Sequence, residues 1–344
     1  MTIKVPVKPK FLIIKLRALG DVLLSTPVIT TLKKSFPGSD IDFVVLQENY
    51  ELVKNNPNLN EIFILDKKWD KLPFGKRMKK YKELKKKIQS KKYDFMLDLQ
   101  NSPRSIWIGF FARAAMKIGY KKPQNFFYKI RLKQISRMQH NVDDLLYLLN
   151  PISPSKISRY LDINIPDEIV NTLKRKFNPD GLEYVIIHPG AGRRRRFKMW
   201  GIENFVKVAR EVINLGYRVF IIGGPGDSDL IQEFKTQLDE TPKLTYLDNK
   251  FNITELGGFI KNAKLFIGND SGPIHIADAL NIPSIGIFGA SSPIRWGVIK
   301  PPHVNLFKEI GCNPCDKVNC IYNSPKCLEA ITPDDVIDKL KFFL

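Results

Sequence analysis

Long hydrophobic runs are missing from this sequence. No segment reaches the roughly 18 consecutive apolar residues that a membrane-spanning helix needs. The N-terminal apolar stretch FLIIKLRALGDVLL is interrupted by Lys15, Arg17 and Asp21, which makes it a poor signal-peptide core. A GxxxxGK(S/T) phosphate loop is absent, so a P-loop kinase or NTPase is not supported. No internal repeat is visible, and the one compositionally biased tract is rich in lysine. Cysteines number four, all between 312 and 327, and in the cytosol expected for this chain disulfides are the less expected use. Negative charge is in short supply: 35 Asp and Glu face 55 Lys and Arg, leaving a net +20. That field favours anionic partners such as nucleic acid, phosphorylated lipid or sugar phosphates, and says nothing of fold.

What is present is a chain of 344 residues, 43% hydrophobic, enough for well-packed cores and long enough for two domains. FLIIKLR (11–17), IDFVVL (41–46), EIFIL (61–65) and YDFMLDL (93–99) read as buried strands, separated by stretches long enough for helices. GDVLLSTPVITTLKKSF (20–36) carries apolar residues at helical spacing, with Pro27 expected to kink it or mark an irregular first turn. Residues 151–166 are proline-interrupted and aperiodic, the expected linker. Strands then resume at 183–190, 217–224, 264–270 and 283–289, with a helical pattern at 202–214. Such β-α-β alternation predicts parallel sheets covered on both faces. The expected architecture is α/β, with two Rossmann-like doubly wound domains, 1–160 and 161–330. A capped helix follows at 331–344, Thr332 as N-cap and Pro333 at the first position. Ligands of such sheets bind beyond the carboxyl ends of the strands, and a cleft between two halves is the default site.

Several strand-to-helix turns carry chemistry-bearing residues. GNDSGPIHIADAL (268–280) places Asp270, Ser271, Gly272 and His275 where a helix begins, and free first-turn N–H groups there attract an anion such as a diphosphate. HPGAGRRRRFKMW (188–200) puts Gly190 and Gly192 before Arg193–Arg196 and Lys198, a pattern for gripping phosphate. GGPGDSD (223–229) is a weaker, more structural signal. In the first half, ALGDV places Gly20 and Asp21 at the mouth of the first strand, and DLQNSPRS brings Asp98, Gln100 and Arg104 to the same rim. Each turn alone also reads as a capped or solvated structural turn.

Taken together, in this order and spacing, the LGDVLLSTPVITTLKKSFP, YDFMLDLQNSPRS, HPGAGRRRRFKMW, GNDSGPIHIADAL and IFGAS segments and the cysteine segment resemble the ADP-heptose:lipopolysaccharide heptosyltransferase family. The resemblance spans nearly the whole chain. It implies a GT-B glycosyltransferase, inverting, with no metal or other cofactor needed for catalysis. Asp21 then corresponds to the general base and Lys198 to the group that neutralises the leaving diphosphate. Gly190, Gly192, Arg193, Asp270, Ser271, Gly272 and His275 fall on the donor side, Gly20 and Arg104 on the acceptor side. The implied donor is an ADP-sugar and the implied acceptor an anionic glycolipid, the Kdo/heptose inner core on lipid A. Another nucleotide sugar or another cell-surface glycan stays open as the alternative. The implied location is the cytoplasmic face of the inner membrane, held peripherally.

Two features lie outside that set. Residues 67–92 hold 13 Lys or Arg and read either as a solvated helix face or as a contact with an anionic membrane surface, with Trp69, Leu72, Pro73 and Phe74 dipping in. Cys312, Cys315, Cys320 and Cys327 are candidate ligands for a structural zinc or an iron–sulfur cluster, although the spacing matches no zinc ribbon well, and reduced or partly oxidised thiols are the competing reading. Charge and cysteines also raise nucleic-acid binding. The absence of a recognition helix or RNA-binding signature argues against it, and no nucleic-acid partner is expected.

Overall fold

The structure, a computed structural model, describes residues 3–135, 138–192, 196–317, 320–322 and 324–344. The chain divides into two compact units, Met1–Asn164 and Ile165–Leu344.

The first unit runs β1 (Lys10–Ile14), α1 (Leu19–Leu23), α2 (Thr26–Ser35), β2 (Asp40–Leu46), β3 (Glu61–Leu65), α3 (Phe74–Gln89), β4 (Tyr93–Asp98), α4 (Pro103–Phe111), β5 (Ala114–Tyr120), β6 (Ile130–Leu132) and α5 (Asn141–Tyr147). The second runs α6 (Asp167–Phe177), β7 (Tyr184–His188), α7 (Ile202–Asn214), β8 (Arg218–Gly223), α8 (Ser228–Gln237), β9 (Leu244–Asp248), α9 (Ile253–Ile260), β10 (Leu265–Asn269), α10 (Gly272–Ala279), β11 (Ser284–Ile287), α11 (Pro293–Trp296), β12 (His303–Leu306), α12 (Lys326–Glu329) and α13 (Pro333–Leu340).

Among the described residues each unit holds one six-stranded sheet, and all the pairings are parallel. The orders are β3-β2-β1-β4-β5-β6 and β12-β11-β10-β7-β8-β9. Read from β7, the second order is the first repeated. The order reverses between β1 and β4 in one unit and between β7 and β10 in the other. These are the switch points where a crevice opens at the carboxyl ends of the strands. The four central strands are buried almost throughout, because helices cover both faces of each sheet.

Pro27 does more than kink the predicted helix. The chain breaks into α1 and α2, and Pro27 sits in the first turn of α2, where its missing N–H costs no helical bond. The C-terminal helix α13 packs its apolar face within the second unit. Val336 and Leu340 join the core that α7 builds with Phe205 and Val212. Among the described residues no helix is long and apolar enough to cross a membrane.

Candidate functional site

In the second unit the switch point is stapled by Asn269, fully buried at the end of β10. Its amide donates to the Pro189 carbonyl at 2.7 Å and accepts from the Trp200 backbone N–H at 3.0 Å. One side chain thus ties the segment after β7 to the end of β10. Trp200 is buried, and its indole N–H donates to the Ile331 carbonyl at 2.7 Å, which anchors the residues just past Lys198. Held this way, the Lys198 ammonium lies 3.2 Å from an Asp270 carboxylate oxygen and 2.9 Å from the Ser291 hydroxyl, which itself donates to the same carboxylate. The two charged side chains are each 11% exposed, open enough for a ligand and shielded enough for their charges to be felt.

Beside this pair α10 begins. Ser271 is its N-cap residue and Pro273 lies in its first turn, yet the Ser271 side chain makes no capping bond. Its hydroxyl faces Nδ1 of His188 at 3.3 Å. The helix start therefore keeps its N–H groups and the positive end of its dipole for another acceptor. His188, at the end of β7, is buried with Asp227 3.8 Å away. Burial pushes its pKa down to about 4 against the opposing pull of Asp227, so the ring is neutral at pH 7. Asp227 also accepts from the Gly224 N–H at 2.9 Å. A Cβ on Gly190 would lie 2.6 Å from the Asp227 carboxylate and would have to displace it, and Gly192 turns the chain with φ of +84°. Gly272 opens α10. His275 is buried within α10, and its Nδ1 has no hydrogen-bond partner among the described residues. Arg193, expected at the donor, lies outside the described residues, with Arg194 and Arg195.

In the first unit Asp21 is the third residue of α1. Its carboxylate accepts from the Ala18 backbone N–H at 2.9 Å, and the side chain stays 32% exposed. Lys15, buried, places its ammonium 3.9 Å from the other carboxylate oxygen. Burial lowers the Lys15 pKa, and Asp21 and Asp98 pull it back up. Gly20 lies in α1, and its carbonyl accepts from Leu24 N–H at 2.8 Å. Gln100 accepts from Leu16 and Arg17 N–H at 3.1 and 3.0 Å, fixing the end of β1. Asp98, at the same rim, is 0% exposed and accepts from Tyr128, Ser105 and the Gln100 and Asn101 N–H groups. Burial raises its pKa, against which those bonds work. It is a structural anchor rather than a rim carboxylate. Arg104, in the first turn of α4, pairs with Asp70. With Arg17, Ser102 and Leu46 it lines a cavity of about 280 Å³ at the carboxyl end of the sheet.

The four cysteines share one small cavity, with Phe197 and Ala290 in its wall. Among the described residues no three or more His, Cys, Asp or Glu side chains stand in a metal-holding arrangement. The thiols share a space without forming a ligand set, so the structural-zinc expectation is not supported by their placement. Cys327 is buried, which pushes its thiol pKa up.

Sequence reasoning passed over Asn269, Ser291, His188 and Lys15 as site residues. Ser291 was legible only as part of IFGAS, and Lys15 only as a lysine inside an otherwise apolar strand, a costly placement unless a carboxylate is near.

Two sheets of the dinucleotide-binding order in one chain, each with its polar residues gathered at its switch point, are the GT-B architecture of sugar-transferring enzymes. The chain belongs to glycosyltransferase family 9 (heptosyltransferase), whose model matches residues 81–325, and it is a glycosyltransferase. It is 31% identical to lipopolysaccharide heptosyltransferase 3 of Escherichia coli, over 80% of this chain and 82% of that one. It is 28% identical to lipooligosaccharide heptosyltransferase 2 of Campylobacter jejuni, over 95% of both. In fold it resembles a family 9 glycosyltransferase of Veillonella parvula, with TM-score 0.87 and 23% identity over 100% and 99% of the two chains. It also resembles the E. coli heptosyltransferase WaaC solved with ADP, with TM-score 0.77 and 19% identity over 97% and 100%.

Proposed function

We propose that the protein moves heptose from ADP-heptose to the inner core of lipopolysaccharide, a Kdo- or heptose-bearing lipid A. The observation that carries this reading is Lys198, a cation fixed by Asp270 and Ser291 beside the uncapped start of α10. The relatives in lipopolysaccharide synthesis supply the sugar and the acceptor class, and a related structure holds ADP-2-deoxy-2-fluoro heptose.

In this reading the donor diphosphate lies at the first turn of α10 and takes hydrogen bonds from its N–H groups and from Lys198. Gly272 lets the ligand approach the backbone, Ser271 can donate a hydrogen bond to it, and Gly190, Gly192, Arg193, Asp270 and His275 belong to the same donor set. The acceptor hydroxyl oxygen attacks the anomeric carbon from the face opposite the diphosphate. The bond to the diphosphate oxygen breaks, the hydroxyl proton passes to Asp21, and ADP leaves with its charge held by Lys198 and α10. The configuration inverts. The cation at the leaving group is Lys198, so the step is proposed to run without a metal. Gly20 and Arg104 face the acceptor, and the enzyme works at the cytoplasmic face of the membrane that carries it.

The test is incubation with ADP-heptose and Kdo-bearing lipid A, with the product followed by mass spectrometry and its anomeric centre by NMR. A single heptose added with inverted configuration is expected. Transfer only from a different nucleotide sugar would replace the donor assignment.

A further inference from the structure

Helix α4 is apolar on more than its inward face. It buries Ser105, Ile106, Ile108 and Gly109, yet Trp107 and Phe110 point outward at 36% and 57% exposure. A surface helix ordinarily turns its charged face to water. These rings do not stand alone. Trp107 contacts Tyr81 of α3 and Phe111 edge-on, at 5.5 and 4.8 Å between ring centres. Phe110 contacts Phe127 at 5.3 Å, and Phe127 contacts Phe126, 74% exposed, at 5.8 Å. A continuous aromatic ridge thus crosses the first unit.

Along its flank runs α3, with eight Lys or Arg against one Glu. Lys85 places its ammonium 4.0 Å over the Phe111 ring, joining the two elements. Phe74, at the start of α3, is 70% exposed. Exposed rings beside a dense cationic face are the composition of a surface that sits in a lipid interface: the rings enter the headgroup boundary and the lysines meet anionic lipid. A solvated helix face would need the charge and not the rings.

The position of the ridge says what it is for. Arg104 lines the cavity at the carboxyl end of the sheet, and Trp107 and Phe110 follow along the same helix. At 1.5 Å per residue they lie about 4.5 and 9 Å further along the axis. A bilayer touching the ridge would present the sugars of an embedded glycolipid at the height of that cavity.

We propose that the α3–α4 face, led by Trp107, Phe110 and Phe126, is a docking surface for an anionic lipid bilayer. Its use in presenting the acceptor rests on the lipopolysaccharide reading above. The basic stretch seen in the sequence is then half of the surface, and α4 with residues 126–127 is the apolar half.

The experiment is co-sedimentation with vesicles of phosphatidylcholine alone or mixed with phosphatidylglycerol. It uses the full chain, the triple variant Trp107→Ser/Phe110→Ser/Phe126→Ser, and the charge variant Lys79→Glu/Lys82→Glu/Lys86→Glu. Circular dichroism and a cooperative urea transition like that of wild type confirm that each variant is folded. The wild type is expected to bind the anionic vesicles, and binding should weaken as salt rises from about 0.05 to about 0.5 M. Each variant should lose roughly tenfold or more in partitioning. Heptose transfer to a deacylated, water-soluble acceptor should stay at the wild-type rate in the triple variant. Wild-type protein that stays in the supernatant, or a triple variant that sediments like wild type, would overturn the proposal. Vesicle binding as expected, with no transfer to the soluble acceptor by wild type, would overturn the heptosyltransfer reading and leave the surface standing.

Discussion

The ammonium of Lys198 lies 3.2 Å from the carboxylate of Asp270 and is bonded to Ser291 as well. Two side chains, 72 and 93 residues away along the chain, hold this one cation. On the proposed reading Asp270 keeps the ammonium in place before a donor arrives, and an incoming diphosphate would compete for the same charge. Lys198→Ala should therefore weaken ADP binding by about 1.5–3 kcal/mol, the worth of a hydrogen bond to a charged group. Ser291→Ala, which leaves the ion pair, should cost only about 1 kcal/mol. Calorimetric titration with ADP checks both.

Asp21 lies in the other unit and is proposed to act on the acceptor proton. Asp21→Asn should lower kcat by roughly 10²–10⁴ while ADP affinity stays within about twofold of wild type. Weak ADP binding in that variant would contradict the division of labour between the two units.

Lys15→Met keeps the buried volume of the stem and removes a cation 3.9 Å from the Asp21 carboxylate. On the proposed mechanism kcat should fall while ADP affinity stays near that of wild type, read by steady-state kinetics and calorimetric titration. A merely structural Lys15 would change melting temperature and leave kcat where it was.

The central strands were legible because a parallel sheet covered on both faces needs unbroken apolar runs. FLII, YVII and LFIG are such runs, and they became β1, β7 and β10. The strands toward the edges were not. β9 (LTYLD) and β12 (HVNL) end their sheet half-buried and mix polar with apolar residues, so no period marks them. The turns that carry the site were legible as Gly-, Asp- and Ser-rich breaks after those runs. The bonds within them were not, because Asn269 with Pro189, and Ser291 with Lys198, meet only once the sheet has brought distant segments side by side. Asp98 shows the converse: the rim position was correctly placed on the chain, but its burial and four donors emerge only from the packing of α4 and Tyr128 around it.

Asp98→Ala leaves the Tyr128 hydroxyl, the Ser105 hydroxyl and two backbone N–H groups without their acceptor. A loss of about 3 kcal/mol or more in unfolding free energy is expected, read by urea denaturation. Tyr128→Phe, which removes one donor, should cost about 1 kcal/mol.

His188 sets a pH dependence. An unfolded histidine titrates near about 6.5, whereas burial holds the folded ring near 4. Between these values the unfolded chain binds a proton that the folded chain refuses, so stability is full above the upper value and falls as pH drops through the window. The contribution should be roughly 1–3 kcal/mol between pH about 7 and about 4. His188→Gln should flatten that part of the stability curve, measured by urea titration at each pH.

The most direct measurement is thermal stabilisation by ADP, UDP, GDP, CMP and TDP, without divalent metal, on wild type and Lys198→Ala. The account predicts that ADP raises the melting temperature of wild type above the other nucleotides, and that Lys198→Ala loses most of that rise. Preference for another nucleotide, or an ADP response unchanged by removal of Lys198, would contradict it.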